Sequence, residues 1–338
     1  MNYFCKYNLG LDPNRRVEFD NSNIGTFIHS VLENFFAELK ARGRKISDIT
    51  DKEKDDLIKL AAEKYTSVCF EGIVTASARL QNTIKNLCRM ARPIIDGLCD
   101  EFSDCEYEPT FFELKISSEG KELPSPAIFN TGSGKRVCIF GTMDRVDTYK
   151  CGEDVYVRVV DYKTGGKDFS PKDIQNGENL QMFLYLKSVV ETGSDVFREK
   201  IGVGSEGRLI PAGVIYVKTS VKDGSITKNS QSEAMASVKA NQQRLGMILD
   251  DAESIKAMNP DFLPIKYKKN GEPDYHSKAK LYTLEGWERI NDTISNVMTD
   301  ICDRMLSGDI DATPLKKGGK AKICEYCDFK AICRNASV

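Results

Sequence analysis

Apolar residues at Ile24, Phe27, Ile28, Val31, Leu32, Phe35, Phe36 and Leu39 follow the three-and-four spacing of one helical face. The turn-like run Asp20-Asn21-Ser22-Asn23 marks its start. Helical patterns follow at about 51–68 and 72–99, the second expected to stop near Pro93 or Gly97. The period then changes. Residues 106–117 (EYEPTFFELKIS), 137–148 (VCIFGTMDRVDT) and 154–163 (DVYVRVVDYK) read as strands. Between the last two, Tyr149-Lys150-Cys151-Gly152-Glu153 is a polar turn with a glycine, which predicts an antiparallel hairpin. An apolar helix is predicted at 178–191, a strand at 211–218 (PAGVIYVK), and helices at about 230–256 and 284–306. The segment 193–210, rich in glycine and charge, reads as an exposed loop or insertion.

Helices, a mostly antiparallel sheet with a crossover helix, and helices again predict an α/β or α+β architecture, one domain with helical additions. Its parts are a helical 1–105, a sheet core at 106–220, a helical 221–314 and a tail at 315–338. No apolar run approaches the ~20 residues of a membrane span, and the N-terminus lacks the apolar stretch of a signal peptide. With eleven cysteines in 338 residues, these features predict a reducing, cytoplasmic setting rather than a disulfide framework. Basic and acidic residues nearly balance, 48 against 50, so a nucleic-acid partner would have to be met by a local basic patch. The tail offers one: Lys316, Lys317, Lys320, Lys322, Lys330 and Arg334 outnumber Glu325 and Asp328. Thr131-Gly132-Ser133-Gly134-Lys135-Arg136 has Phe129 where a phosphate loop needs its first glycine, and no ATPase motif is read.

Alternation along the strand sets Val155, Val157, Val159, Asp161 and Lys163 on one side. A hairpin symmetric about residues 151–152 puts Asp144 opposite Val159, two residues from Asp161. Two carboxylates converging there would repel each other and favour a divalent cation with oxygen ligands. A neighbouring lysine can orient water and neutralise phosphate charge, which together suit phosphodiester hydrolysis. An Asp-x-Lys at a strand end is by itself usually a solvated ion pair, and Asp147 competes with Asp144 as the first carboxylate.

The wider context resembles a known family. Gly141-Thr142-Met143-Asp144, then Asp161-Tyr162-Lys163-Thr164, then Gln181 and Tyr185 one helical turn apart, resemble the PD-(D/E)XK nuclease superfamily in its RecB-like branch. That resemblance implies a restriction-endonuclease-like core, a central mixed sheet flanked by helices. It implies Mg²⁺ or Mn²⁺ held by Asp144, Asp161 and His29 with the Tyr162 carbonyl, and Lys163 acting on the attacking water. Gln181 and Tyr185 would buttress the site, touch DNA, or serve only the helix packing. His29, at the edge of the first apolar stripe with Gly25 one turn earlier, would otherwise read as a partly buried histidine with a local hydrogen bond. Gly25-Thr26-Phe27-Ile28-His29 is similar to the family's G-x-x-x-H motif, where the histidine is a metal ligand. His276 has no such support.

Cys324-x2-Cys327-x5-Cys333 gathers three thiols within ten residues, a spacing that suits zinc or an iron–sulfur cluster and needs a fourth ligand. The whole chain resembles the nuclease part of the AddB family of helicase–nuclease proteins. This implies a 4Fe-4S cluster, a DNA substrate, an AddA-like helicase partner and a role at double-strand-break ends. Cys5 is the fourth ligand, or that ligand precedes residue 1 and the chain is an excised piece: Tyr3-Phe4 aligns with the aromatic pair that follows the family's cysteine. The other seven cysteines read as ordinary thiols. A free-standing RecB-like exonuclease, phage or CRISPR-associated, and a non-catalytic DNA-binding scaffold are the alternatives.

Overall fold

The N-terminal stripe becomes helix α1 (Asn21–Ala41), with Phe27, Ile28, Val31, Leu32, Phe35, Phe36 and Leu39 all buried. The computed structural model describes residues 4–11, 21–70, 78–163, 171–219, 244–263, 265–270, 273–274, 280–309, 311, 313–316, 321–325 and 327–333. Helix α2 (Asp51–Phe70) opens with a capping box in which Thr50 N donates to Glu53 Oε2 and Glu53 N donates to Thr50 Oγ1. Helix α3 (Ala78–Ser103) does not stop where expected but runs through Pro93 and Gly97. A mid-helix proline costs about 3 kcal/mol. Beyond it, Ile94, Ile95, Leu98, Cys99 and Phe102 keep the stripe and are buried, and each large side chain so covered returns ~1.5–3 kcal/mol.

The strands are β1 (Glu108–Ile116), β2 (Ala127–Asn130), β3 (Arg136–Ile139), β4 (Gly141–Cys151), β5 (Asp154–Lys163), β6 (Leu209–Lys218), β7 (Leu245–Leu249), β8 (Lys266–Tyr267), β9 (Pro273–Asp274) and β10 (Lys280–Tyr282). The main sheet has the order β1-β4-β5-β6-β7-β10. Its β5–β6 and β7–β10 pairs are parallel and the other three antiparallel, so it is mixed. The parallel β5–β6 step needs a crossover, and helices α4 (Pro171–Gln175), α5 (Gln181–Val190) and α6 (Asp195–Lys200) lie along it. Strand β5 is buried on both sides. Val155, Val157 and Val159 join the core of Phe183, Leu186 and Val189, while Val160 and Tyr162 join that of α1 and α3. The strand end that carries Asp161 and Lys163 therefore emerges between two helical layers.

Several expectations are corrected. The strand expected at 137–148 is two, β3 and β4, parted at Phe140, and β3 pairs with β2, which was not anticipated. The segment 193–210 is no exposed insertion: Ser194 caps α6 by accepting from Phe197 N, and Phe197 is fully buried beside Phe111. Of the helix expected at 230–256, residues 220–243 lie outside the described ones. Its end is β7 followed by the short helix α7 (Ala252–Lys256), because a brief apolar run fits a buried strand as well as a helix. Helix α8 (Leu284–Leu306) matches its prediction and is capped by Thr283, whose Oγ1 accepts from Gly286 N. Helices α9 (Lys322–Glu325) and α10 (Lys330–Cys333) lie in the tail. Tyr3, Thr164, Gly165, His276, Lys317, Lys320 and Arg334 lie outside the described residues. Among the described residues, no helix is long and apolar enough to cross a membrane.

Candidate active site

The β4–β5 hairpin sets the site. Cys151 pairs with Asp154, so the turn is Gly152-Glu153, and Gly152 takes the positive φ of +64° that the turn requires. Val146, not Asp144, lies opposite Val159, a two-residue correction to the expected symmetry. Continuing that register beyond the Arg145–Val160 pair brings Asp144 level with Asp161.

Tyr162 is the hub of the group that forms there. Its main-chain N donates to Asp144 Oδ2 at 3.0 Å, and its carbonyl accepts from His29 Nε2 at 3.0 Å. With Nε2 as the donor, His29 Nδ1 faces Asp144 Oδ2 at 3.5 Å. A nitrogen lone pair against a carboxylate is unfavourable unless a proton or a cation lies between them. Burial opposes protonation of His29, but the hydrogen bond and charge of Asp144, the Tyr162 carbonyl and the charge of Asp161 outweigh it, and its pKa is raised. Asp161 is buried and pairs with Lys163 Nζ at 2.7 Å. Burial and then the charge of Asp144 raise the Asp161 pKa against the pull of Lys163.

Glu113 is the residue that sequence reasoning missed. Its carboxylate, His29 and Asp144 offer ligand atoms all within 4.8 Å of one another. It sits on β1 between Phe112, which pairs with Arg145, and Leu114, which pairs with Met143, and it adopts a φ of +45°. Positive φ is strained for a glutamate and occurs most often where function fixes the backbone. Burial, then the charges of Asp144 and Glu33, push its pKa up to about 6. The available signal was a lone carboxylate in the apolar run Phe111-Phe112-Glu113-Leu114.

Gln181 and Tyr185 come together on the first turn of α5, with Gln181 Nε2 donating to Tyr185 Oη at 3.0 Å. The same tyrosine packs on Gly141, where an added Cβ would lie 2.5 Å from Tyr185 Oη. A cavity of about 150 Å³ lies beside Lys163, lined also by Asn179, Leu180, Gln181, Met182 and Tyr216. It leaves room next to the lysine for a reacting group.

A model of the PD-(D/E)XK nuclease superfamily matches residues 1–334. The chain belongs to the PD-(D/E)XK nuclease superfamily. Proteins named as B-type subunits of an ATP-dependent helicase/deoxyribonuclease are similar along 98% of the chain. Those of Thermoanaerobacter sp. (strain X514) and Clostridium tetani are 25% identical and that of Clostridioides difficile 26%. The chain spans 28% of the length of each.

PD-(D/E)XK nucleases use divalent metals such as Mg²⁺, and the residues here fit one. The donor set is carboxylate oxygen and imidazole nitrogen, and like charges crowd it. Apart from its ion pair with Lys163, the buried Asp161 Oδ2 takes no hydrogen bond. Among the described residues, His29, Glu113 and Asp144 are the one such group of potential ligands; Asp161 is not in it, and neither are the cysteines. Cys5 is fully buried in the N-terminal turn Phe4–Asn8, whereas Cys324, Cys327 and Cys333 are half-buried along α9 and α10.

Proposed function

We propose that the chain is a metal-dependent deoxyribonuclease, a single nuclease domain that hydrolyses phosphodiester bonds at DNA ends. The observation that carries this reading is the hub at Tyr162, which holds His29 and Asp144 through one peptide unit beside Asp161 and Lys163. Asp144, Asp161, His29 and Glu113, with the Tyr162 carbonyl, would hold Mg²⁺ or Mn²⁺. The ion would neutralise charge on the scissile phosphate and acidify the attacking water. Lys163 is anchored by Asp161 with its ammonium facing the cavity, where it would orient that water and stabilise the phosphate as charge builds. Gln181 and Tyr185 would hold the α5 end of the cavity and touch the strand. The basic tail would add contacts to the DNA backbone without sequence preference.

Cys324, Cys327 and Cys333, with Cys5 as the fourth ligand, are assigned to a structural 4Fe-4S cluster on the strength of their spacing. The names of the similar proteins support action beside a helicase, with an AddA-like partner, on double-strand-break ends in recombinational repair and in the cytoplasm. The test is degradation of labelled linear duplex and single-stranded DNA by anaerobically purified protein. Cleavage with Mg²⁺ or Mn²⁺, abolished by EDTA, is expected; folded protein that binds DNA without cutting it under any metal would favour a scaffold instead.

A further inference from the structure

The face of the hairpin turned towards α3 carries charge that the reaction does not use. Arg145 Nη2 donates to Asp147 Oδ2 at 3.0 Å, and its Nε lies 2.8 Å from Asp147 Oδ1. Arg158 Nε donates to the same Asp147 Oδ2 at 2.8 Å and its Nη2 to Glu101 Oε1 at 3.4 Å. Arg244 closes the row, its Nη2 donating to Glu101 Oε2 at 2.7 Å. All five side chains are at most 3% exposed. Aromatic rings face each of the three guanidiniums: Phe102 lies 5.3 Å from Arg145, Tyr107 4.6 Å from Arg158 and Phe262 5.1 Å from Arg244.

Stability alone does not account for such a row, since a well-packed apolar set often serves a core as well or better. What an ionic row supplies is fixed geometry, and this one ends at the active site. Arg145 Nη1 donates to Tyr162 Oη at 2.9 Å, and the peptide units on either side of Tyr162 hold Asp144 and His29. We infer that Arg145 is a positioning residue for the metal site: braced by Asp147, Arg158, Glu101 and Arg244, it pins the Tyr162 side chain and thereby the backbone that aims Asp144 and His29. The inference rests on the metal-site reading above. Outer hydrogen-bond partners of this kind typically govern about 10- to 100-fold in metal affinity.

Removing Arg145 outright would strand buried carboxylates, so the decisive variant is Tyr162→Phe, which keeps the ring and deletes only the acceptor. Arg145→Lys keeps the charge but loses the fork that spans Asp147 and Tyr162 Oη. Ile95→Val thins the same core on α3 without touching the row. Mn²⁺ binding is measured by calorimetry in the absence of DNA, with thermal unfolding followed in parallel. Tyr162→Phe and Arg145→Lys are expected to weaken Mn²⁺ binding about 10-fold or more, and Ile95→Val to leave it at the wild-type value whatever its melting temperature. Wild-type affinity in Tyr162→Phe, or equal weakening in Ile95→Val, overturns the inference and leaves the metal site standing. A wild-type protein that binds no Mn²⁺ overturns both.

Discussion

Glu113 shows what a single side chain contributes to this site. Its pKa of about 6 against an ordinary 4.5 means that the folded, metal-free protein binds its proton more tightly than the unfolded chain does. The group's stabilising contribution is therefore full below about pH 4.5 and is lost as pH rises through 6. At about pH 7.5 the ionised carboxylate destabilises the fold, by at most about 1 kcal/mol because solvent screens a half-buried group. Glu113→Gln should then melt higher than wild type at about pH 7.5 without metal, and the gain should vanish near pH 4.5. Added Mg²⁺ should stabilise the wild type more than the variant, and scanning calorimetry with and without metal reads both effects. Equal stabilisation of the two by Mg²⁺ would remove Glu113 from the ligand set. Asp144, Asp161 and Lys163 were legible as a constellation because strand alternation and hairpin pairing are regular. Glu113 was not, because its placement depends on a backbone irregularity in β1 that no periodicity encodes.

At the scale of elements, the site exists because β4, β5 and α5 meet closely. Gly141 opens β4 under the ring of Tyr185, so Gly141→Ala must push that ring away from Gln181. Overpacking of this kind costs about 1–3 kcal/mol. Tyr185→Leu should absorb most of that cost, so chemical denaturation of the two single variants and the double variant should show marked non-additivity. Additive losses would mean that the contact does not set the fit. Long helices and the hairpin were read from the sequence with little error, since amphipathic stripes and a glycine turn are local signals. The hairpin register was two residues off because the turn uses Gly152-Glu153 instead of centring on Cys151-Gly152. Helix α3 was cut short because Pro93 was weighed locally, whereas tertiary burial of Ile95, Leu98 and Phe102 decides its length. That extension carries Glu101, without which the buried charge row would have no second anion.

For the whole molecule, β5 divides two cores, and its end holds the reacting groups where both layers can support them. The terminal cysteines belong to this scale, since a cluster would join Cys5 to the tail. Its loss should act on the fold before the chemistry. Iron chelation under air is expected to lower the melting temperature by several degrees, to bleach a brown absorbance and to release iron and sulfide; a zinc site would show no visible band. Unchanged melting after complete iron removal would dissociate the cluster from stability. The account as a whole stands or falls on Lys163. In single-turnover cleavage of labelled single-stranded DNA with Mg²⁺, Lys163→Ala should lose at least about 100-fold in rate while fluorescence anisotropy shows DNA binding within a few-fold of wild type. Cleavage at the wild-type rate by folded Lys163→Ala would contradict it.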